Sequence, residues 1–289
     1  MSYLVDNAII MCAGTSSRFA PLSYEKPKGL TVVKGEVLLE RQIRQLQEAG
    51  VPEIVLVLGY RKEQFYYLEE KFGVKLVENT EYLTRNNHSS IWAARDYLKN
   101  SYICSADNYF SINPFERCVD DSYYAALYAD GKTAEWCMTE DEDGYVNAVT
   151  IGGENAWYML GHVFWSEDFS REFLRILTKI YDDPETVGLL WEGIYMRHLD
   201  TLKLKIRRYS SDDIYEFDSL DELREFDESY VTDTRSAILK KIAKTLSVEE
   251  KDLTHITATK SGTLAAGFSF LAAGEPYEYL YEGERLIKR

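Results

Sequence analysis

Cysteine is scarce in this chain: four in 289 residues, at Cys12, Cys104, Cys118 and Cys137, with no C-x-x-C pair. Histidine is equally sparse and scattered, at His88, His162, His198 and His255. These absences argue against a disulfide framework, a zinc site and a redox dithiol, and they suit reduced thiols in a cytosolic protein. No apolar run approaches the roughly 18 residues of a membrane helix, and residues 1–7 carry no basic segment leading into an apolar stretch. Neither a membrane span nor a secretory signal is expected, and the cytoplasm is the expected compartment.

Positive charge is also in deficit. Lys and Arg number 33 against 48 Asp and Glu, for a net charge of −15. Such a surface repels a phosphate backbone, so general nucleic-acid binding is not expected, although one small basic cluster can still serve a nucleotide. The acidity is uneven: residues 231–289 hold nine basic and eight acidic residues, leaving 24 against 40 on residues 1–230. That excess fits a solubilising surface, or a cationic substrate with a divalent metal. A hydrophobic content of 45% over this length is enough for a sizeable core without staples.

What is present has an α/β rhythm. Asn7–Cys12 (NAIIMC) reads as a buried strand, and Leu39, Ile43 and Leu46 share a helical face that ends at Gly50. Ile54–Leu58 (IVLVL) is continuously apolar, as in a parallel sheet covered on both faces. A helix at Phe65, Leu68 and Phe72 and strands at residues 74–77 and 102–104 continue the alternation. The expected fold is therefore a doubly wound, mostly parallel, Rossmann-like α/β sheet, with mixed decoration over residues 120–215. A boundary is expected near residues 228–234, giving a domain at 1–230 and a small α+β appendage at 231–289. In the appendage, Thr232 or Asp233 would cap a helix bearing Ile238, Ile242 and Leu246. Residues 268–272 and 277–281 would form a hairpin across Gly274 and Pro276.

The chemistry concentrates in residues 12–30, C-A-G-T-S-S-R-F-A-P-L-S-Y-E-K-P-K-G-L. This stretch follows the first strand, where an α/β sheet places ligands. Ala13, Gly14, Thr15, Ser16 and Ser17 are small enough to let backbone N–H groups approach an anion, and Arg18 and Lys28 add fixed positive charge. The spacing matches neither the P-loop nor the dinucleotide fingerprint. Asp107 lies just past an apolar strand. Glu216 and Asp218 fall on one face of Y-E-F-D, where their mutual repulsion calls for cationic partners. Asp107 and Asp218 would suit Mg²⁺; a helix cap is the competing role for Asp218. Asn86 and Asn87, with Ser89 and Ser90, offer the donors and acceptors a pyrimidine edge requires; a turn with an N-cap serine is the alternative.

The pattern A-G-x-x-S-R-x-x-P-L-x-x-x-x-P-K over residues 13–28 resembles the signature of the sugar-phosphate nucleotidyltransferase superfamily. Gly59-Tyr60, Asn86-Asn87, Ala106-Asp107-Asn108-Tyr109, Glu135-Trp136 and the run at residues 214–219 are similar to its bacterial phosphocholine cytidylyltransferase branch. The resemblance covers roughly residues 7–225. It implies Mg²⁺-dependent transfer of CMP from CTP to phosphocholine, giving CDP-choline and pyrophosphate. The implied roles are Arg18 and Lys28 on the phosphates, and Ala13, Gly14, Thr15, Ser16, Tyr60, Asn87 and Ser90 around the nucleotide. Asp107 and Asp218 would hold the metal.

A quaternary ammonium cannot donate a strong hydrogen bond, so an aromatic face with carboxylates is its natural receptor; Trp136, Glu192 and Glu216 are the candidates. The family pattern has an aromatic residue immediately before Trp191, where this chain has Leu190. That departure keeps phosphoethanolamine and 2-aminoethylphosphonate open as acceptors. A sugar 1-phosphate and a catalytically idle nucleotide-binding regulator are the further rivals, and a homodimer is an open assembly. The appendage faintly resembles the opening of a choline-kinase N-lobe, with a degraded glycine-rich stretch at residues 260–267 and no H-x-D loop after it. Kinase activity is not expected of this chain, and the appendage is expected to serve packing or assembly.

Overall fold

A computed structural model describes residues 2–261 and 264–289. The chain divides into two compact units, one of Met1–Gly14 with Leu39–Tyr215 and one of Thr15–Leu38 with Glu216–Arg289. The sequence places a single boundary near residues 228–234. This division instead falls after Tyr215 and transfers the segment following the first strand to the C-terminal unit.

The first unit is built on a seven-stranded sheet. In chain order its strands are β1 (Asn7–Cys12), β2 (Ile54–Leu58), β3 (Lys75–Glu78), β4 (Ser101–Ser105), β5 (Tyr123–Glu140), β6 (Val146–Trp165) and β7 (Lys205–Arg208). Their order in space is β7-β5-β6-β4-β1-β2-β3. β1 to β4 are mutually parallel, with Ile10 beside Leu56 on one flank and Cys104 on the other. The architecture is thus the doubly wound, mostly parallel α/β sheet. Every residue of β2 is buried, which is why its run is apolar without alternation. Leu39, Ile43 and Leu46 of helix α1 (Leu38–Glu48) are fully buried, as their spacing requires. β5 and β6 form one long antiparallel hairpin interrupted by bulges. Beneath it, the ring of Trp165 packs on Phe169, Phe173 and Trp191. No helix among the described residues is long and apolar enough to cross a membrane, and all four cysteines are free thiols.

The second unit contains helix α2 (Leu220–Phe226), a turn of helix at Ser229–Thr232, and helix α3 (Ala237–Leu246). A four-stranded antiparallel sheet completes it, β8 (Leu253–Ser261), β9 (Leu264–Ala272), β10 (Glu275–Leu280) and β11 (Arg285–Lys288), in that spatial order. Thr232 closes the preceding short helix, so the cap of α3 is Ser236 rather than Thr232 or Asp233; its Oγ accepts from Leu239 N at 3.1 Å. The hairpin turns on Ala273 and Gly274, both at positive φ, and Pro276 lies inside β10 opposite Leu271. Two flanking strands, β8 and β11, escaped the sequence reading. Within the glycine-rich stretch, Gly262 and Thr263 lie outside the described residues. Gly267 has a packing role: a Cβ there would stand 2.1 Å from the Tyr279 carbonyl oxygen.

Candidate active site

The second unit assembles the charged residues. Lys28 opens a short 3-10 turn (Lys28–Leu30) after Pro27, and the turn draws its side chain inward until the residue is only 4% exposed. Its Nζ stands 3.4 Å from Asp218 Oδ1, 3.7 Å from Glu216 Oε1 and 5.7 Å from the centre of the Phe19 ring. Burying an ammonium is costly unless carboxylates accompany it, and here two do. Arg18 pairs through Nη1 with the other oxygen of Asp218, but its side chain is 71% exposed and the pair is correspondingly screened. The two carboxylates whose repulsion called for cations therefore have them, from a segment about 190 residues earlier. Asp218 is not a helix cap. Ser219 caps α2, its Oγ accepting from Glu222 N at 3.2 Å, while Glu222 Oε2 accepts from Asp218 N at 2.6 Å and Ser219 N at 3.3 Å. This capping box fixes the backbone of Asp218 and leaves its carboxylate to the cations.

Thr15 and Ser16 lie in the same unit, and Ser16 takes a left-handed backbone (φ 46°) that turns the chain into Arg18. Ala13 and Gly14 follow the first unit's opening strand, with Ala13 buried and Gly14 exposed. The Ala13 carbonyl accepts from Tyr60 N at 3.1 Å. Gly59 makes that approach possible, since a Cβ there would meet Tyr82 at 2.7 Å and Ala13 O at 2.8 Å. The Tyr60 hydroxyl accepts from Arg61 Nε at 3.2 Å.

In the first unit, two residues read separately from the sequence are joined. Asn87 Nδ2 donates to Glu192 Oε2 at 3.1 Å, and Asn87 Oδ1 accepts from Trp191 N at 2.7 Å. The Tyr124 hydroxyl donates to Glu192 Oε1 at 3.2 Å. Burial pushes the Glu192 carboxyl above its ordinary range, against the pull of these donors. Asn87 thus places its amide between a carboxylate and a backbone N–H. Tyr124, whose ring stacks on Trp191 at 5.6 Å, gave no signal in the sequence. Ser90 is buried and receives Asn79 Nδ2 at 3.2 Å. Asn86 Nδ2 donates to Gly188 O at 3.0 Å. Trp136 is half-buried on β5 and packs against the core, next to an exposed Glu135. Asp107 is half-buried in the turn after β4. Among the described residues no three His, Cys, Asp or Glu side chains gather as a metal cage.

Residues 8–138 match the model of the MobA-like NTP transferase domain. The chain is 33% identical to a choline-phosphate cytidylyltransferase of Streptococcus pneumoniae, over 76% of this chain and 96% of that one. It is 38% identical to a 2-aminoethylphosphonate cytidylyltransferase of Lancefieldella rimae, over 80% of this chain and 95% of that one. The solved structure of the CTP:phosphocholine cytidylyltransferase from Streptococcus pneumoniae superimposes with a TM-score of 0.74 at 33% identity, covering 78% of this chain and 99% of that one. Sharing this fold and this much sequence with them, the chain belongs to the nucleotidyltransferase family in which these cytidylyltransferases stand.

Proposed function

We propose that this enzyme transfers CMP from CTP to phosphocholine, releasing pyrophosphate. The observation that carries the reading is Lys28, a buried ammonium between Glu216 and Asp218 in the segment that also bears Arg18. A phosphate oxygen of the acceptor attacks the α-phosphorus of CTP. The new P–O bond forms as the bond to the bridging oxygen breaks, and that oxygen leaves with the pyrophosphate. No covalent enzyme intermediate is required, so the protein contributes positioning and charge. Lys28 would hold the α-phosphate and the acceptor phosphate, exchanging its carboxylate contacts for phosphate ones, and Arg18 the departing β,γ-phosphates. Ala13, Gly14, Thr15, Ser16 and Tyr60 would border the nucleotide. Mg²⁺ is proposed as the metal. Hard carboxylate oxygens suit it, and it takes one or two of them with phosphate oxygens, so no protein cage is needed. Asp107 and Asp218 are its proposed carboxylates, and the ion would neutralise charge developing on the α-phosphoryl group. The cytoplasm is proposed as the compartment, on the reduced-thiol composition.

A second acceptor, 2-aminoethylphosphonate, is favoured by two particulars. A carboxylate held by Asn87 and Tyr124 suits a hydrogen-bonding primary ammonium, and Leu190 supplies no aromatic wall. The Lancefieldella rimae relative adds weight to it. Pyrophosphate release from CTP is the test, with phosphocholine, 2-aminoethylphosphonate and a sugar 1-phosphate compared at equal concentration. Preference for phosphocholine is expected. A preference for the aminophosphonate transfers the assignment to the second reading, and no release with any acceptor overturns both. In the phosphocholine reading, Trp136→Ala raises the acceptor KM about five- to thirtyfold and leaves the CTP KM near wild type, the loss of a cation–π contact of roughly 1–2 kcal/mol.

A further inference from the structure

We propose that residues 229–289 act as a positioning clamp on the segment Thr15–Leu38, holding Arg18 and Lys28 where they meet Asp218. The proposal rests on the reading that these two cations bind substrate phosphates, and it gives the appendage a part in turnover instead of packing or assembly alone.

The clamp grips the segment at successive points. Near its start, residues Ser17–Phe19 lie against β8. Further on, the Tyr24 ring stacks on Tyr281 with centroids 3.7 Å apart and planes within 6°. Glu25 then caps α3 from outside. Its Oε1 accepts from Ala237 N at 2.8 Å and Ile238 N at 3.3 Å, and its other oxygen accepts the Ser236 hydroxyl. A carboxylate at the positive end of a helix is a favourable contact in its own right. Past Lys28, the Val32 carbonyl receives two donors from the C-terminal side, Arg235 Nη1 at 2.6 Å and Tyr230 OH at 2.7 Å. The Arg235 guanidinium is itself braced over the Tyr230 ring at 4.2 Å. Lys28 therefore sits between anchors on both sides in sequence, at Tyr24-Glu25 and at Val32.

These anchors are discrete. Between them lies a cavity of about 170 Å³, lined by Leu22, Glu25, Lys26 and Thr31 of the segment and by Tyr230, Thr234 and Arg235. A segment held at points across a void can shift locally when one point is lost, without the wider unfolding that follows from opening a continuous core. The appendage has its own core in Leu239, Ile242, Phe268 and Phe270, all buried, so loss of a surface anchor leaves it intact.

The test uses the full-length chain as Tyr281→Ala, Tyr281→Phe and Glu25→Gln. Hydrogen–deuterium exchange of residues 15–34 and steady-state kinetics are the paired readouts. Tyr281→Ala and Glu25→Gln are expected to speed exchange in residues 15–34 and leave exchange in β1 and β2 unchanged. kcat/KM should fall about tenfold for CTP and for the acceptor alike, since Lys28 is assigned to the phosphates of both, with Tm unchanged. Tyr281→Phe, which keeps the stacked ring, should restore both readouts. Unchanged exchange in residues 15–34 overturns the clamp whatever the activity. Faster exchange with unchanged CTP kinetics overturns its role in turnover, as does an equal loss for both substrates that tracks a fall in Tm. If the wild-type chain turns over none of the substrates, the functional reading fails on its own, and the exchange data still decide whether the appendage orders the segment.

Discussion

Lys28 shows how much one side chain demands of its surroundings. An ammonium at 4% exposure is tolerated because Glu216 and Asp218 stand within 4 Å, and in the proposed reaction the same arrangement would offer an ordered charge to a phosphate. Lys28→Ala is expected to lower turnover by about 10²-fold or more in a pyrophosphate-release assay, with far-UV circular dichroism unchanged, if the charge serves the transferring phosphoryl group as proposed. Wild-type rates in that variant would remove its assigned role.

Glu192 gives a pH-dependent counterpart. Burial raises its carboxyl above the usual carboxylate range, so it becomes anionic only at higher pH than an exposed glutamate. If it faces the acceptor's ammonium, the acceptor KM should rise as pH falls through that raised value, with the CTP KM flat. Glu192→Gln should abolish the dependence. The stability sign follows from the same shift: the native state holds this proton more tightly, so the contribution is greatest in acid. It declines as pH rises from the unfolded value through the folded one. Comparing the pH profiles of wild type and Glu192→Gln in urea unfolding reads that slope directly.

Elements decide where such residues can stand. The run Ser219-Leu220-Asp221-Glu222 carries the S-x-x-E signature of a capping box, and that signal was open in the sequence beside Asp218. Recognising it resolves the competition between cap and charge partner, because once Ser219 caps α2 the Asp218 carboxylate has no helix to serve. Ser219→Ala is expected to cost about 1 kcal/mol in chemical denaturation. Turnover should also fall, because the Asp218 backbone loses its fixed register. A variant with full stability and full activity would show that the box does neither. The helical and strand runs of the first unit were similarly legible, since Leu39, Ile43 and Leu46 or the unbroken IVLVL of β2 admit few other solutions. β8 and β11 were not, because half-exposed edge strands lack a strong period and take their pairing from β9 and β10.

Over the whole molecule, the proposed metal and nucleotide link activity to stability. Saturating CTP with Mg²⁺ at about a hundredfold over Kd should stabilise the native state by about 2.7 kcal/mol, read as a rise in Tm. EDTA should abolish both that shift and turnover, and added Mg²⁺ should restore them. A CTP-dependent shift that survives chelation would argue against the metal's part in binding.

The amino-acid order by itself determined the βα rhythm, the place of the small-residue segment with Arg18 and Lys28 after the first strand, and the need of Glu216 and Asp218 for positive partners. Those properties are local: a period of two or of 3.6, a cluster of small residues, two like charges on one face. Only the tertiary structure decided which cations answer, because Arg18 and Lys28 lie about 190 residues away in sequence. It alone joined Asn87 to Glu192 across 105 residues and brought Tyr124 to the same carboxylate. It also drew the segment Thr15–Leu38 into one unit with Glu216–Arg289, where composition suggested a separate appendage. The physical reason is common to all three. A side-chain contact between distant segments depends on how far each element travels before it packs, and no local pattern of residues encodes that distance.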